Sequence, residues 1–260
     1  MTFPGGTSVT RLSVYSGTCQ DGLEGGTPHL HTASTEAYVV IGGSGALQTL
    51  DVHGFRETPL SAGSTVWFTP GTIHRAINRG GLEVVVVMQN AGLPEAGDAV
   101  MTFPPEIVAD AARYREAATL PAGEGAELPW ASSDQGNSAT PPTGEGVEDA
   151  VRRRRELAVE GFLRLAKSLS DGDPGPLRAF YDSAVALVRP AVAGWRRTWE
   201  DTVARETRHT AEVLDALERG DGTHLHSATL LEAPPEARWG MCGRLRTHDV
   251  AHPQVRSPRP

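Results

Sequence analysis

Cysteine and lysine are almost absent: Cys19 and Cys242 stand far apart in a chain of 260 residues, and Lys167 is the single lysine. Two distant cysteines exclude a small disulfide-stapled scaffold. The preference for arginine reads as the base composition of a GC-rich genome and carries no mechanism. No stretch of about 18 apolar residues occurs, which excludes a membrane-spanning helix. The opening Met-Thr-Phe-Pro-Gly-Gly has neither the basic start nor the apolar core of a secretory signal, so a soluble, cytoplasmic protein is expected. Positive charge is in deficit, with a formal net charge of −8. Nucleic acid and anionic membrane surfaces would be repelled at long range, and a small molecule is the expected partner.

The chain is long enough to bury a core without staples, in one large domain or two modest ones. From Thr7 to about Asn90 it consists of short β-type runs separated by Gly, Pro and Ser: Ser8–Tyr15, Glu36–Ile41, Ala46–Val52, Ser64–Thr69 and Val84–Met88. Several short strands at close spacing imply a sandwich or barrel. Gly42-Gly43-Ser44-Gly45 reads as a turn joining two of them. Residues 104–116 read as a short helix after Pro104-Pro105, and Leu120–Gly146, poor in large apolar side chains, reads as a linker. Val147–Leu169 places Val147, Val151, Leu157, Phe162, Leu165 and Leu169 near helical spacing, with Arg152–Arg155 between them read as a solvated face. Leu177–Arg219 is a second helical region, which Pro190 should kink. The expected organisation is a β-barrel over 7–100, a short helix and linker over 101–146, a helical region over 147–220 and an irregular tail over 221–260.

His29 and His31 stand two apart, so on an extended strand both imidazoles point to one face. Glu36 follows after a segment able to turn the chain, and His74 lies downstream of Pro70-Gly71. Three neutral imidazoles and one carboxylate suit a divalent transition metal and not a calcium-like oxygen cage. Iron, nickel, manganese and zinc all remain open.

At these residues the chain resembles the cupin superfamily. The family's first signature is matched by His29, His31, Glu36 and Gly43, and its second by Gly63, Gly71, His74 and Asn78. One departure is Thr69-Pro70-Gly71, where the proline sits one place from its usual position. The resemblance implies a double-stranded β-helix, or jelly-roll, barrel holding one metal ion on His29, His31, Glu36 and His74, and it stops short of the helical C-terminal half. It also implies a homodimer formed by exchange of edge strands, for which Ser8–Tyr15 is the candidate.

Tyr38, Trp67 and Phe68 fall on strands beside the ligands, and those alternating inward would line the pocket. Arg75 and Gln89 are candidates for holding a polar or anionic substrate. His224-x-His226 with His209 is a weaker candidate for a second metal site, and Trp195 and Trp199, four apart, read as core or interface anchors. Because a complete ligand set suits catalysis, a metal-dependent enzyme acting on a small polar metabolite is expected. A dioxygenase is considered first and a sugar isomerase second, with Glu36 as the candidate base. The competing reading is a non-catalytic barrel that senses a sugar or similar ligand; a DNA-binding regulator of that kind should carry a basic recognition helix, which the near-neutral C-terminal half lacks.

Overall fold

The computed structural model describes residues 3–121, 146–250 and 252–255. Seven strands come first: β1 (Ser8–Val14), β2 (His29–His31), β3 (Glu36–Asp51), β4 (Gly54–Ser61), β5 (Thr65–Phe68), β6 (Ile73–Met88) and β7 (Ala99–Met101). Helices follow: α1 (Pro105–Val108), α2 (Ala111–Ala118), α3 (Val147–Ser170), α4 (Gly175–Val188), α5 (Val192–Trp199) and α6 (Arg205–Glu218). The N-terminal half is therefore β-rich and the C-terminal part largely helical, as expected. Most of the linker expected over 120–146 lies outside the described residues.

Two strands of 16 residues organise the barrel. β3 and β6 pair antiparallel along their lengths, from Glu36 opposite Met88 to Leu50 opposite Ile73. Near their middles the register slips between Val40 and Gly45. Here Gly42-Gly43-Ser44-Gly45 is a bulge inside one strand, not the turn between two strands that its composition suggests. The physical reason is close approach: a Cβ on Gly43 would overlap the Gly81 carbonyl, and one on Gly45 would overlap the Ile77 carbonyl. Gly43 also holds a φ of 68°, which glycine tolerates without strain. Bent at this point, the pair belongs to two layers. One half pairs with β5 and β1; the other pairs with β4 and β2, and β2 in turn pairs with β7.

Side chains alternating into the space between the layers form one core, including Leu12, Tyr38, Val40, Leu47, Phe68, Ala76, Val84, Val86 and Met88. The opposite face of the second layer, with Leu30, Leu50, Ile73 and Val100, packs against the helices through Tyr114, Ala158, Phe162, Leu165, Leu177 and Phe180. α3 buries a stripe at helical spacing, Val151, Arg154, Arg155, Ala158, Phe162 and Leu165. Arg154 and Arg155, expected on a solvated face, are thus interior. Arg154 donates to the carbonyls of Ala118 and Gly240, and Arg155 donates to Gly25 and lies over the Tyr15 ring. Neither pairs with a carboxylate among the described residues. At Pro190 the chain passes through a 3-10 turn, Arg189–Ala191, as a proline without an N–H requires. A π-helical turn, Glu200–Ala204, joins α5 to α6.

Part of the tail expected to be irregular is sheet. β8 (Leu231–Glu232) and β11 (Gln254–Val255) form a small ladder, while β9 (Pro235–Trp239) and β10 (Gly243–His248) form a hairpin that extends the barrel. β10 pairs with β1 from Thr10 opposite Thr247 to Val14 opposite Gly243. β1 is consequently covered on both sides, by β6 and β10, and is not the free edge that strand exchange needs; β4 and β9 end the strand order instead. No helix among the described residues is long and apolar enough to cross a membrane.

Candidate metal centre

His29, His31, Glu36 and His74 converge inside the barrel, all buried, each offering one donor atom within 4.8 Å of the others. Alternation along β2 explains the first pair: both histidines face inward while Leu30 joins the core under the helices. The register then sets His29 directly opposite His74. Glu36 opens β3 after the bend at Thr32–Ala33, which Asn90 ties down by donating to the Ala33 carbonyl at 3.0 Å.

Each imidazole is oriented by an acceptor on its far nitrogen. The Nδ1 of His29 donates to the Thr27 carbonyl at 2.8 Å, that of His74 to the Thr72 carbonyl at 3.1 Å, and that of His31 to the Asp98 carboxylate at 2.6 Å. With the proton on Nδ1, each ring turns its Nε2 toward the centre, the arrangement that metal-bound histidines adopt. Glu36 Oε2 lies 3.1 Å from the Nε2 atoms of both His31 and His74. Glu36 Oε2 and His74 Nε2 nevertheless have no hydrogen-bond partner although both are fully buried. Buried polar atoms are seldom left unsatisfied, and a cation at their midst would satisfy both. The donor set and its geometry fit a divalent metal.

The electrostatic surroundings differ from ring to ring. Burial pushes the His29 imidazole well below the usual histidine range, helped by the neighbouring His74 and His31. For His31 burial acts in the same direction, but the Asp98 carboxylate overrides it and, with Glu36, brings the value up to about 10. Burial would raise Glu36, yet His74 and His31 hold its carboxyl well below the carboxylate range.

Around these atoms the wall is apolar and aromatic. Phe68, opposite Glu36 in the strand register, lies with its ring 4.2 Å from that of His74, and Met88 opposes Glu36 from the other side. Tyr38 is fully buried, packs against Phe68, and turns its hydroxyl toward the Cys242 thiol at 3.8 Å. Burial, with the nearby thiol and carboxylate, raises the phenol well above its ordinary range, so it keeps its proton.

Of the residues expected to hold substrate, Tyr38 faces the site and three others do not. Trp67 is 70% exposed, because alternation that turns Phe68 and Val66 inward turns Trp67 outward. Arg75 follows His74 on β6 and so faces the opposite side, where it is ion-paired with Asp21 and donates to the Gly26 carbonyl at 3.1 Å. Gln89 is exposed past the end of β6. His224 and His226 join no cluster of three donors among the described residues. Sequence reasoning missed Asp98 and Cys242, which reach the site from a loop and from the C-terminal hairpin; no spacing in the sequence signals either.

The cupin-domain family model matches residues 18–89. No curated protein matches the chain. Among solved structures, a Streptomyces PAC13 variant with uridine shares 20% identity over 36% of this chain and 66% of that chain, at a TM-score of 0.28. Pac13 itself, described as a unique nucleoside dehydratase, shares 22% identity over the same shares of each chain at the same TM-score. An uncharacterised Klebsiella pneumoniae protein with a double-stranded β-helix domain shares 19% identity over 35% of this chain and 73% of that one, at 0.29. The chain spans just under two thirds of the Pac13 structures. With the family match, the bent β3–β6 pair and the four convergent donors in place, residues 18–89 belong to the cupin superfamily.

Proposed function

We propose that the protein is a divalent-metal-dependent enzyme acting on a small polar metabolite, with a dioxygenase reaction as the leading assignment. The observation that carries this reading is the complete set of four oriented donors inside a wall of Phe68, Met88 and Tyr38. A divalent iron, nickel, manganese or zinc ion held by His29, His31, Glu36 and His74 would supply Lewis acidity, and an octahedral ion would have two positions left for substrate and dioxygen.

The residues of the chain supply the rest. Apolar side chains exclude water, which strengthens every electrostatic interaction within. Tyr38, held protonated, can donate a hydrogen bond to a polar substrate atom. Glu36 is the one carboxylate in the cluster and the candidate base.

The test is elemental analysis of untagged protein from minimal medium, beside the His31→Ala variant. About one equivalent of a transition metal in the wild type, lost in the variant, supports the site; oxygen uptake by iron- or nickel-loaded protein with a panel of small polar metabolites then supports the dioxygenase. Protein that stays metal-free after reconstitution overturns the proposal. Proton exchange into a substrate without oxygen uptake would replace dioxygenase with isomerase.

A further inference from the structure

Asp98 is the one carboxylate hydrogen-bonded to a ligand imidazole on its far side. It is completely buried, and its second oxygen, Oδ2, has no partner. A side chain buried so completely is held by the few hydrogen bonds it makes. Among the described residues Asp98 Oδ1 is bonded to the His31 Nδ1 at 2.6 Å, and that bond sets both the tautomer and the direction in which His31 Nε2 points.

Asp98 does not belong to the motif strands. It ends the loop Asn90–Asp98, and that loop is held from outside the barrel by the helical half. The Trp195 indole N–H donates to the Ala96 carbonyl at 3.0 Å, and the Thr202 hydroxyl donates to the Ala91 carbonyl at 3.1 Å. Between them, Thr198 packs directly on Gly92. Trp195, Thr198 and Thr202 lie at spacings of three and four along α5 and the π-helical turn, so one helix face grips the loop at both ends. On the inner side the Asp98 carbonyl accepts from the Thr32 N–H at 2.9 Å and hydroxyl at 3.0 Å, next to His31.

We propose that Asp98 is a positioning residue for His31 and that the helical segment 192–204 sets it, so that the metal affinity of the barrel depends on the C-terminal half. The proposal rests on the metal-site reading above. It assigns the helices a role that neither the barrel nor its ligand motif contains.

The test compares wild type, Asp98→Ala, Asp98→Asn and Trp195→Phe, with Leu217→Ala on exposed α6 as control. Zn(II) dissociation constants are measured by chelator competition, and the Co(II) ligand-field spectrum is recorded alongside. Asp98→Ala should weaken binding about 10- to 100-fold and alter the Co(II) spectrum. Asp98→Asn, which retains an acceptor oxygen without the charge, should lose less. Trp195→Phe, which keeps the ring and removes the N–H, should weaken Zn(II) severalfold, and Leu217→Ala should not. If Asp98→Ala does not fold, Asp98→Asn and Trp195→Phe decide by the same readings. Variants that bind Zn(II) as wild type does, even with a lowered unfolding midpoint, make the loop merely structural and overturn the proposal. Wild type that binds neither ion overturns the metal-site reading with it.

Discussion

Arg154 is a side chain whose charge finds no carboxylate among the described residues, and yet the fold places it in the interior at 2% exposure. Its guanidinium does the work of a bracket: it bonds the carbonyl of Ala118 at the end of α2 and that of Gly240 in the β9–β10 turn. Tyr15 gives its hydroxyl to the same Gly240 carbonyl and stacks on Trp239, over whose ring the Arg244 guanidinium also lies. Burial lowers the Arg154 pKa from its ordinary value, with the tyrosines nearby working the other way. We expect Arg154→Ala to destabilise the protein by about 2–4 kcal/mol, since it removes the guanidinium donor from the buried Ala118 carbonyl, leaves Gly240 with the Tyr15 hydroxyl alone, and removes a long packed stem. Arg154→Met keeps the stem and should lose less; urea unfolding of both checks this. From the sequence, four consecutive arginines among acids read as a wet surface, because charge pattern reports composition and not which side of a helix meets the barrel.

At the scale of elements, the docking of α3 turns on Gly161. A glycine within a helix ordinarily costs about 1 kcal/mol relative to alanine. Here the helix backbone sits directly on the loop after β7: the Thr102 hydroxyl donates to the Ala158 carbonyl at 2.8 Å, and a Cβ on Gly161 would overlap the Thr102 carbonyl. Gly161→Ala should therefore destabilise, by about 1–3 kcal/mol, where propensity alone predicts a gain. Thermal unfolding of the variant decides the sign. The glycines of β3 obey the same logic. Gly42–Gly45 reads as a turn because turns and bulges both draw on glycine, and only the partner strand, with Gly80 and Gly81 opposite, shows which is present. The helices were more legible: α3 begins at the expected residue and ends within one of the expected end, and Pro190 marks a break, because 3.6-residue periodicity and a missing N–H are local signals.

For the whole molecule, the barrel is closed by residues more than 140 positions beyond its last motif strand. The β9–β10 hairpin covers β1, sends Cys242 in beside Tyr38, and receives Thr27 N–H on the Met241 carbonyl at 3.0 Å, two residues from His29. Ending the chain at residue 234 should uncover β1, take the Gly240 carbonyl from both Arg154 and Tyr15, and cost about 3 kcal/mol or more. A lowered urea midpoint or aggregation is the expected result, and a truncated protein as stable as the full chain would show that the hairpin is an ornament. The four donors, the β-then-α order and the helix limits were determined by the sequence itself, because strand alternation, helical periodicity and ligand chemistry act over a few residues. The tertiary structure alone decided that Trp67, Arg75 and Gln89 leave the pocket, that Asp98 and Cys242 enter it, and that β1 is covered, because these follow from pairing register and from contacts between residues as much as two hundred positions apart and more.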